Sequence, residues 1–492
     1  MPEHLASLTA GTVGRAEEWS DLLRFVDSGA KQSTLAIMWG RRRIGKSFLL
    51  GQLAEGRGLY YEAIRGTASE ALSDLGRVVG EAIGAPGPLN LPDWETAIDT
   101  LMRLGEDKPF VVVLDEFPYL LEESPELEAI IQRAFNPSGM LRNSTRCRLV
   151  LCGSAISVMS KLLAGTAPLR GRAGLDLRVT PFDYRDALGL YPTDDLLLAT
   201  HMYSIIGGVA AYARDMVDND LPKDRKDLAR WVADRVLAPS APLSREAEVL
   251  LSEDPTTAQA RKPNLYHAVL AATALGHRTP AKINDYAKIS GPRLDPILTS
   301  LVGAQFIERL VDPTKSNRPM YFPGDSMIRF HYAVIRPNQP RLRSRSAASA
   351  FWPVADATFR SKVVGPTFEG MARHWASQYS TIPGLAGPGT QIGSTTVSLN
   401  GAEYEVDLVA ASDDGESPGD RKITALGEAK SGEELTFAHL NKLAQFRETL
   451  GGRALDATLV LFGTRFAKSL VAKTKDRSDV ELVDLERLYT GT

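Results

Sequence analysis

An octapeptide at residues 40–47, GRRRIGKS, constrains the fold more strongly than any other part of the sequence. Its two glycines flank three consecutive arginines and an isoleucine. The apolar run TLAIMW precedes it, as expected of a buried parallel strand, and KSFLLGQLAE follows it with leucines at helical spacing. A strand, a glycine-containing turn and a helix in this order predict an α/β domain with a parallel sheet.

The octapeptide also fits the phosphate-binding pattern G-x-x-x-x-G-K-[ST]. Its glycines would let the main chain approach phosphates, and the helix that follows offers unpaired N–H groups. We expect Lys46 to reach the β- and γ-phosphates of ATP and Ser47 to ligate Mg²⁺. A glycine turn that merely opens an amphipathic helix is the alternative. The candidate nucleotide-binding residues of this loop are Gly40, Arg41, Arg42, Arg43, Ile44, Gly45, Lys46, Ser47 and Phe48.

Further segments supply the other groups that a phosphate-binding loop needs. KPFVVVLDEFPYLL is an apolar strand that ends in two acids: Asp115 to hold Mg²⁺ through water and Glu116 to orient or deprotonate an attacking water. A strand ending in a solvated acidic turn is the alternative. RCRLVLCGSAISVM predicts another buried strand, whose end places Ser154 as a sensor of the γ-phosphate.

Two arginines in LRGRAGLDLRVTPF are candidates for a catalytic arginine finger. Arg170 or Arg172 would act on its own chain or on a neighbouring subunit. Ordinary surface arginines in a loop would show the same pattern.

Together, TVGRAEEW, MWGRRRIGKSFLL, VVVLDEFPYLL, LVLCGSAIS, LRGRAGLDLRVTPF and IIGGVAAYA resemble the archaeal-type ATPases of the AAA+/STAND-related P-loop group. The resemblance covers most of residues 12–215. It implies that Gly14 and Arg15 lie near the nucleotide base and that IIGGVAAYA belongs to a helical lid. Ala16 departs from the pattern, because this group often has Glu after the Gly-Arg pair.

The middle of the chain predicts helices followed by a short hairpin. Residues 186–245 have the helical spacing of a lid, and residues 246–335 follow the helix, helix, helix and two-strand order of a winged helix. The helix over 292–301 would enter a DNA major groove, but Arg293 is its one cation, so we favour a protein-packing role. Residues 336–359 are Pro- and Ser-rich with several arginines, which indicates an interdomain linker or a phosphate-tracking strip.

Two alternating stretches near the carboxyl terminus, EYEVDLVAAS and KITALGEAK, predict a hairpin. The period of two puts Asp407 on one face of the first strand, and Glu428 with Lys430 on one face of the second. If these faces align, two acids and an amine converge. An exposed hairpin with ordinary surface charges is the alternative.

The D…E-x-K arrangement resembles the PD-(D/E)xK nuclease superfamily. That resemblance implies Mg²⁺ on Asp407 and Glu428, with Lys430 polarising the attacking water. Glu369 could be the helix-borne acid that some members use. Residues 360–492 also resemble the nuclease-like domain, of the DUF234 type, that commonly closes this ATPase group.

Length and composition limit the remaining choices. A chain of 492 residues exceeds one core of about 250–300 residues, so we expect two to four domains. No apolar run approaches the roughly 18–20 residues of a membrane span, and the first residues lack an export signal, so we expect a cytoplasmic protein with no membrane contact. A net charge of −3 disfavours indiscriminate nucleic-acid binding, and two cysteines exclude a disulfide framework.

The predicted architecture is α/β throughout: a P-loop NTPase parallel sheet with helical lid, winged helix, and C-terminal α/β restriction-endonuclease-like domain. The predicted divisions are an ATPase core at 12–185, a lid at 186–245, a winged helix at 246–335, a linker at 336–359 and a nuclease-like domain at 360–492. We expect an AAA+-like ATPase that binds and hydrolyses ATP and is coupled to a Mg²⁺-dependent nuclease-like domain acting on DNA. A nucleotide-operated switch or scaffold, with a protein partner or a homo-oligomer and no cleavage, is the alternative. DNA binding without cleavage is a third.

Overall fold

The computed structural model describes residues 13–258, 260, 262–289, 291–315, 318–387, 389–399, 401–413 and 417–491. Its contacts divide the chain into two compact units. The first is Met1–Pro181 with Val209–Ala211, and the second is Phe182–Gly208 with Tyr212–Thr492. The predicted core boundary at residue 185 thus falls slightly later than the end of the first unit. The four segments predicted after it lie in the second unit, apart from Val209–Ala211 of the predicted lid, and their individual boundaries stay predictions.

The first unit contains a five-stranded parallel sheet in the order β2-β3-β4-β1-β5. Its elements are α1 (Ala16–Val26), β1 (Thr34–Trp39), α2 (Lys46–Ala54), β2 (Gly58–Glu62), α3 (Ala68–Ile83), α4 (Trp94–Arg103), β3 (Phe110–Asp115), α5 (Phe117–Glu123), α6 (Leu127–Ala134), α7 (Met140–Ser144), β4 (Cys147–Gly153), α8 (Ile156–Met159) and β5 (Ala173–Arg178). The parallel α/β fold predicted from the sequence is confirmed.

Three strands form the buried centre of this sheet. The middle residues of β1 and β3 and every residue of β4 are buried, as their continuous apolar runs predict for strands covered on both faces. Parallel strands end at the same edge, so the residues that follow β1, β3 and β4 lie together there.

The next stretch is mainly helical and ends in a small antiparallel sheet of β6 and β7. Its elements are α9 (Leu196–Ile206), α10 (Ala210–Ala213), α11 (Leu228–Trp231), α12 (Glu246–Glu253), α13 (Pro255–Ala258), α14 (Pro263–Ala274), α15 (Pro280–Ala287), α16 (Gly291–Gly303), β6 (Ile307–Val311), β7 (Pro319–Pro323), α17 (Ser326–Phe330) and α18 (Arg336–Asn338). Helices α14, α15 and α16 directly precede the hairpin of β6 and β7, and the winged helix at 246–335 stays a prediction. Ser290, just before α16, lies outside the described residues.

The segment at 336–359, predicted as an interdomain linker or a phosphate-tracking strip, is largely helical. Most of it is the helix α19 (Arg345–Thr358), which continues through the π-helical turns Phe359–Val364 into α20 (Gly365–Gln378). Phe351 and Trp352 are buried, together with alanines three or four positions away. That apolar stripe makes the segment part of the core, although its Pro, Ser and Arg content suggested otherwise.

The last part of the chain forms a mixed five-stranded sheet in the order β12-β11-β10-β9-β8. Its elements are β8 (Thr390–Leu399), β9 (Ala402–Ser412), β10 (Ile423–Lys430), α21 (Phe437–Leu450), β11 (Thr458–Gly463), α22 (Lys468–Thr474), β12 (Val480–Val483) and α23 (Leu485–Thr490). Strands β9 and β10 are the antiparallel pair of the predicted hairpin, and β10, β11 and β12 run parallel. This part of the chain therefore combines a mixed sheet with helices, as the α/β prediction requires, and its nuclease-like fold stays a prediction.

Within the described ranges, no single helix has the length and apolar character to span a bilayer; one bent pair, Leu196–Ile206 with Ala210–Val217, meets those two criteria jointly. Cys147 and Cys152 are both buried free thiols.

Candidate functional site

The loop between β1 and α2 has a backbone that its glycines make attainable. Gly40 has a φ of 155° and Gly45 a φ of 97°. A Cβ atom on Gly40 would stand 2.2 Å from the carbonyl oxygen of Val179. The tight wrapping expected of a phosphate-binding loop is thus built into the chain.

Lys46 opens α2 and is nearly buried inside this loop. Its Nζ donates to the carbonyl oxygens of Gly40 and Arg41, at 2.8 Å each. Burial lowers the pKa of Lys46, although Cys152, Glu116 and Asp115 act in the opposite direction. A buried ammonium group in these surroundings would be stabilised by an anion bound in the loop.

Asp115, at the end of β3, collects several donors. Its Oδ2 accepts from the Ser47 hydroxyl at 2.7 Å and from the Tyr60 hydroxyl at 2.6 Å, and its Oδ1 accepts from the Glu116 amide at 2.8 Å. Burial alone would raise the pKa of Asp115, but hydrogen bonds from Cys152, Tyr60, Ser47 and that amide outweigh it and keep the pKa low. The carboxylate is therefore ionised, and it contacts Ser47, the other residue predicted to bind Mg²⁺.

Glu116 has an uncommon left-handed backbone, with a φ of 50°. The Ser154 hydroxyl lies 2.8 and 2.9 Å from its two carboxylate oxygens, and Arg42 Nε lies 4.0 Å from Oε1. The structure thus brings Ser154 to the carboxylate predicted to act on water. A strained backbone held from two sides is typical of a residue whose position serves a function.

Arg15 joins the start of α1 to the loop. It follows Gly14, has a φ of 64°, and donates through NH2 to the Ile44 carbonyl oxygen at 2.9 Å. Its NH1 pairs with Glu18 at 2.7 Å. The acid that meets Arg15 is therefore Glu18, three residues beyond it, rather than a residue at the position of Ala16.

The remaining candidates of this unit have local contacts. Arg170 is exposed and donates to the Gly165 carbonyl oxygen of its own loop at 2.6 Å. Arg172 is half-buried, and its amide donates to the Leu169 carbonyl oxygen. Phe48 is 48% exposed, which leaves its ring accessible beside Ser47. No recorded contact in the described ranges joins either arginine to the loop, so the arginine finger stays a prediction.

A second charged group lies where β9 and β10 pair. Lys430 Nζ is 2.7 Å from Glu428 Oε1 and 3.2 Å from Asp407 Oδ2. The Ala429 amide also donates to Asp407 Oδ2, at 3.0 Å. The two carboxylates are buried and converge on one ammonium group, as the period of two predicted.

Opposing effects set the protonation of this pair. Burial raises the pKa of Asp407 to about 7, with Glu369 and Glu428 contributing in the same direction. Burial alone would lower the pKa of Lys430, but Asp407 and Glu428 raise it above its ordinary value. The Lys430 ammonium group thus favours the ionised form of Asp407, against the effect of burial.

Glu369 lies on α20 with a different partner. Its Oε2 accepts from Arg278 NH2 at 2.8 Å, and Arg278 also pairs with Glu405 of β9. Over the residues that the structure describes, no three His, Cys, Asp or Glu side chains are arranged to hold a metal ion. Glu369 therefore does not join Asp407 and Glu428 in a ligand set in this conformation.

Three contributors escaped the sequence reasoning. Tyr60 was missed because its contact depends on the parallel pairing that sets Tyr60 opposite Val113 on β3, two residues before Asp115. Arg278 and Glu405 were missed because they belong to distant segments. The charge of Glu405 two positions before Asp407 was the available signal, since alternate residues of a strand share a face.

Comparison with known proteins agrees with the geometry of the first unit. Residues 13–200 match the family described as an ATPase domain predominantly from Archaea. The chain is 28% identical over 334 residues to the uncharacterized protein MJECL04 of Methanocaldococcus jannaschii, which covers 66% of this chain and 69% of that protein.

Two solved structures are also similar to this chain. The Walker-type ATPase PABY2304 of Pyrococcus abyssi has a TM-score of 0.47 at 21% identity, covering 66% of this chain and 96% of that one. The Aeropyrum pernix ORC2 protein with ADPNP and ADP has a TM-score of 0.40 at 15% identity, covering 70% and 95%.

Proposed function

We propose that the first unit binds ATP with Mg²⁺ at residues 40–48 and hydrolyses it. The convergence of Lys46, Ser47 and Asp115 at one edge of the parallel sheet carries this proposal. The residues fit the ligand. Gly40 and Gly45 give the loop the backbone of a phosphate-binding turn, and the buried Lys46 ammonium group lies inside it. Asp115, whose pKa is lowered, accepts from the Ser47 hydroxyl. Bound Mg²⁺ would neutralise phosphate charge.

The chain's own groups then have separate roles. Lys46 and the loop amides hold the phosphate tail, while Ser47 and Asp115 hold the metal. Glu116 orients or deprotonates water, and Ser154 fixes its carboxylate. Arg15 supports the loop through Ile44, and Gly14 shapes the turn before it.

Two substitutions separate binding from hydrolysis. Lys46→Ala should lose nucleotide affinity, whereas Glu116→Gln should keep ATP bound and stall turnover. Calorimetry with MgATP and a phosphate-release assay measure the two quantities, and Lys31→Ala, an exposed lysine before β1, is the control. Equal turnover in Lys46→Ala and Glu116→Gln would contradict the assignment.

We further propose that the carboxyl-terminal sheet carries a PD-(D/E)xK nuclease-like site acting on DNA, controlled by nucleotide occupancy of the ATPase domain. The approach of Asp407, Glu428 and Lys430 supports it. The two acids would hold Mg²⁺ and Lys430 would lie next to the water it polarises. Plasmid cleavage that persists unchanged in Glu428→Ala would remove the nuclease proposal.

A specific observation favours the non-cleaving alternative. The third acid, Glu369, is paired with Arg278, and two carboxylates beside a lysine also make a stable structural ion cluster. A nucleotide-operated switch or scaffold predicts slow hydrolysis, ATP-dependent assembly with itself or a protein partner, and no metal at Asp407 and Glu428. Titration with Mn²⁺ distinguishes the two functions, because the nuclease site requires metal binding that Glu428→Ala abolishes.

A further inference from the structure

A buried arginine lies close to the proposed metal site but belongs to a different part of the sequence. Arg278, between α14 and α15, has a side chain that is 10% exposed and ion-paired to both Glu369 and Glu405. Burial would lower the pKa of Arg278, but the two carboxylates raise it above its usual value. Its charge therefore compensates two acids that flank Asp407 along α20 and β9.

The helix–hairpin segment 263–323 holds this arginine in place. The Arg278 carbonyl oxygen accepts from the Tyr321 amide of β7 at 2.7 Å. The guanidinium group lies over the Phe322 ring, 4.7 Å from its centroid. Arg373 of α20 stacks on the same ring at 5.1 Å and donates to the Asp407 carbonyl oxygen at 2.8 Å. Arg278 would consequently move with the segment as a whole.

A second contact fastens the same segment to the carboxyl-terminal sheet. The Thr395 hydroxyl of β8 donates to Asp312 Oδ2 at 2.7 Å. The Thr314 hydroxyl lies 2.9 Å from the Thr395 hydroxyl. Beside them, Lys315 Nζ contacts the Thr396 hydroxyl at 2.9 Å. Asp312, Thr314 and Lys315, which follow β6, therefore all contact β8.

Competition for Glu369 follows from these contacts. Arg278 joins Glu369 of α20 to Glu405, which lies two residues before Asp407 on β9. Arg373, one helical turn after Glu369, donates to the Asp407 carbonyl oxygen at 2.8 Å, so Glu369 lies on the part of α20 that faces Asp407. A carboxylate paired with a buried guanidinium group is a poor ligand, because a metal must displace that cation and leave it with one partner, Glu405, instead of two. Arg278 and a divalent cation thus exclude each other at Glu369.

We propose that Arg278 is a latch: while segment 263–323 is docked, it withholds Glu369 from the metal site formed with Asp407 and Glu428, and undocking completes that site. The inference rests on the proposed metal-dependent function of the carboxyl-terminal sheet and adds its regulation. It also explains how a complete set of motif residues coexists with the absence of a three-ligand group in the described conformation.

Mn²⁺ binding to the full-length, chelator-treated chain without nucleotide tests the latch, with Glu428→Ala defining the site-specific signal. Arg278→Met should raise site affinity by about tenfold, within the usual range of coupling between linked sites. Arg278→Lys, which keeps the charge, should stay near wild type. Adding Glu369→Gln to Arg278→Met should abolish the gain.

Arg235→Met is the matched control, because Arg235 also joins two carboxylates, Asp218 and Asp220, elsewhere in the same unit. It should leave Mn²⁺ affinity unchanged. Glu428-dependent binding of equal strength in wild type and Arg278→Met would overturn the latch and leave the metal site standing. The absence of Glu428-dependent binding in both would defeat the proposed nuclease function itself, and the latch with it.

A milder variant covers the case in which Arg278→Met fails to fold. Lys315→Ala removes the contact to Thr396 at the second fastening point and leaves every carboxylate and Arg278 in place. It should raise Mn²⁺ affinity by at least about threefold, because Lys315 donates to both the carbonyl and the hydroxyl oxygen of Thr396 and both hydrogen bonds favour the docked state. Unchanged affinity in a folded Lys315→Ala protein would overturn the proposal.

Discussion

A buried arginine in the middle of the ATPase sheet offers the sharpest test of what holds the phosphate-binding loop in place. Arg148 lies on β4, is 0% exposed, and donates to four carbonyl oxygens of the connection from α1 to β1. Those acceptors belong to Val26, Ser28, Ala30 and Gln32. This connection leads through β1 directly into the loop at residue 40, so Arg148 replaces the regular hydrogen bonds that the connection lacks.

The expected cost of Arg148→Met follows from the quality of these bonds. Two are short, to Ala30 at 2.8 Å and to Gln32 at 2.9 Å, and two are at the long limit of 3.3 Å. A hydrogen bond to a charged group contributes about 1.5–3 kcal/mol. Methionine retains most of the apolar stem and removes the cost of burying the charge, so we expect a loss of about 3–4 kcal/mol.

Native-state hydrogen exchange of β1 amides measures this loss locally, without requiring the whole chain to unfold in one step. A loss of that size should accelerate exchange of residues 34–39 by about 140–700-fold, since each 1.4 kcal/mol is a factor of ten. Arg146→Met is the control: Arg146 is half-buried, two residues earlier, and donates to Glu106 and Asp107 carbonyl oxygens. Equal acceleration in the two variants would refute the reasoning.

Two further predictions concern the charge cluster and the loop. The pKa of Asp407, raised by burial to about 7, exceeds its unfolded value of about 3.9, so the native state binds more protons and wild-type stability falls as pH rises through that window. In melting curves recorded with chelator at a series of pH values, Asp407→Asn should lose less stability than wild type as the pH rises. The same pH dependence in both proteins would contradict the raised pKa of Asp407. Gly40→Ala should abolish ATP binding in calorimetry, because its Cβ would overlap the Val179 carbonyl oxygen. Gly51 lies inside α2, and a Cβ atom there would have nothing within 4 Å. The Gly51→Ala variant should therefore bind ATP normally, and its free energy of unfolding should rise by about 0.5–1 kcal/mol.

Much of the first unit could be predicted from the sequence because its signals are local. The strand, loop and helix at residues 34–54 are consecutive, and each identifies itself by period and by glycine position. The acids that end β3 were predictable for the same reason. The hairpin that joins Asp407 to Glu428 was predictable because antiparallel neighbours are close in sequence and their faces alternate strictly.

The contacts that were missed all join segments that are distant in sequence. Tyr60 reaches Asp115 across 55 positions, and Arg278 reaches Glu369 across 91. No period in either segment encodes the partner, because the contact depends on sheet register in one case and on helix docking in the other. The helix at 345–358 was missed for another reason: its buried aromatic stripe is short and lies among residues that also suit a linker.

The three arginines of the loop have the same charge but different environments. Arg41 is buried, and its carbonyl oxygen accepts from Lys46. Arg42 faces Glu116, and Arg43 has a left-handed backbone with an exposed side chain. Their common charge predicts only a field that attracts anions. Because an anion held by the loop would share the charge of Arg42 with Glu116, we expect loop occupancy to alter the position of that carboxylate, which couples nucleotide binding to the alignment of the group proposed to act on water.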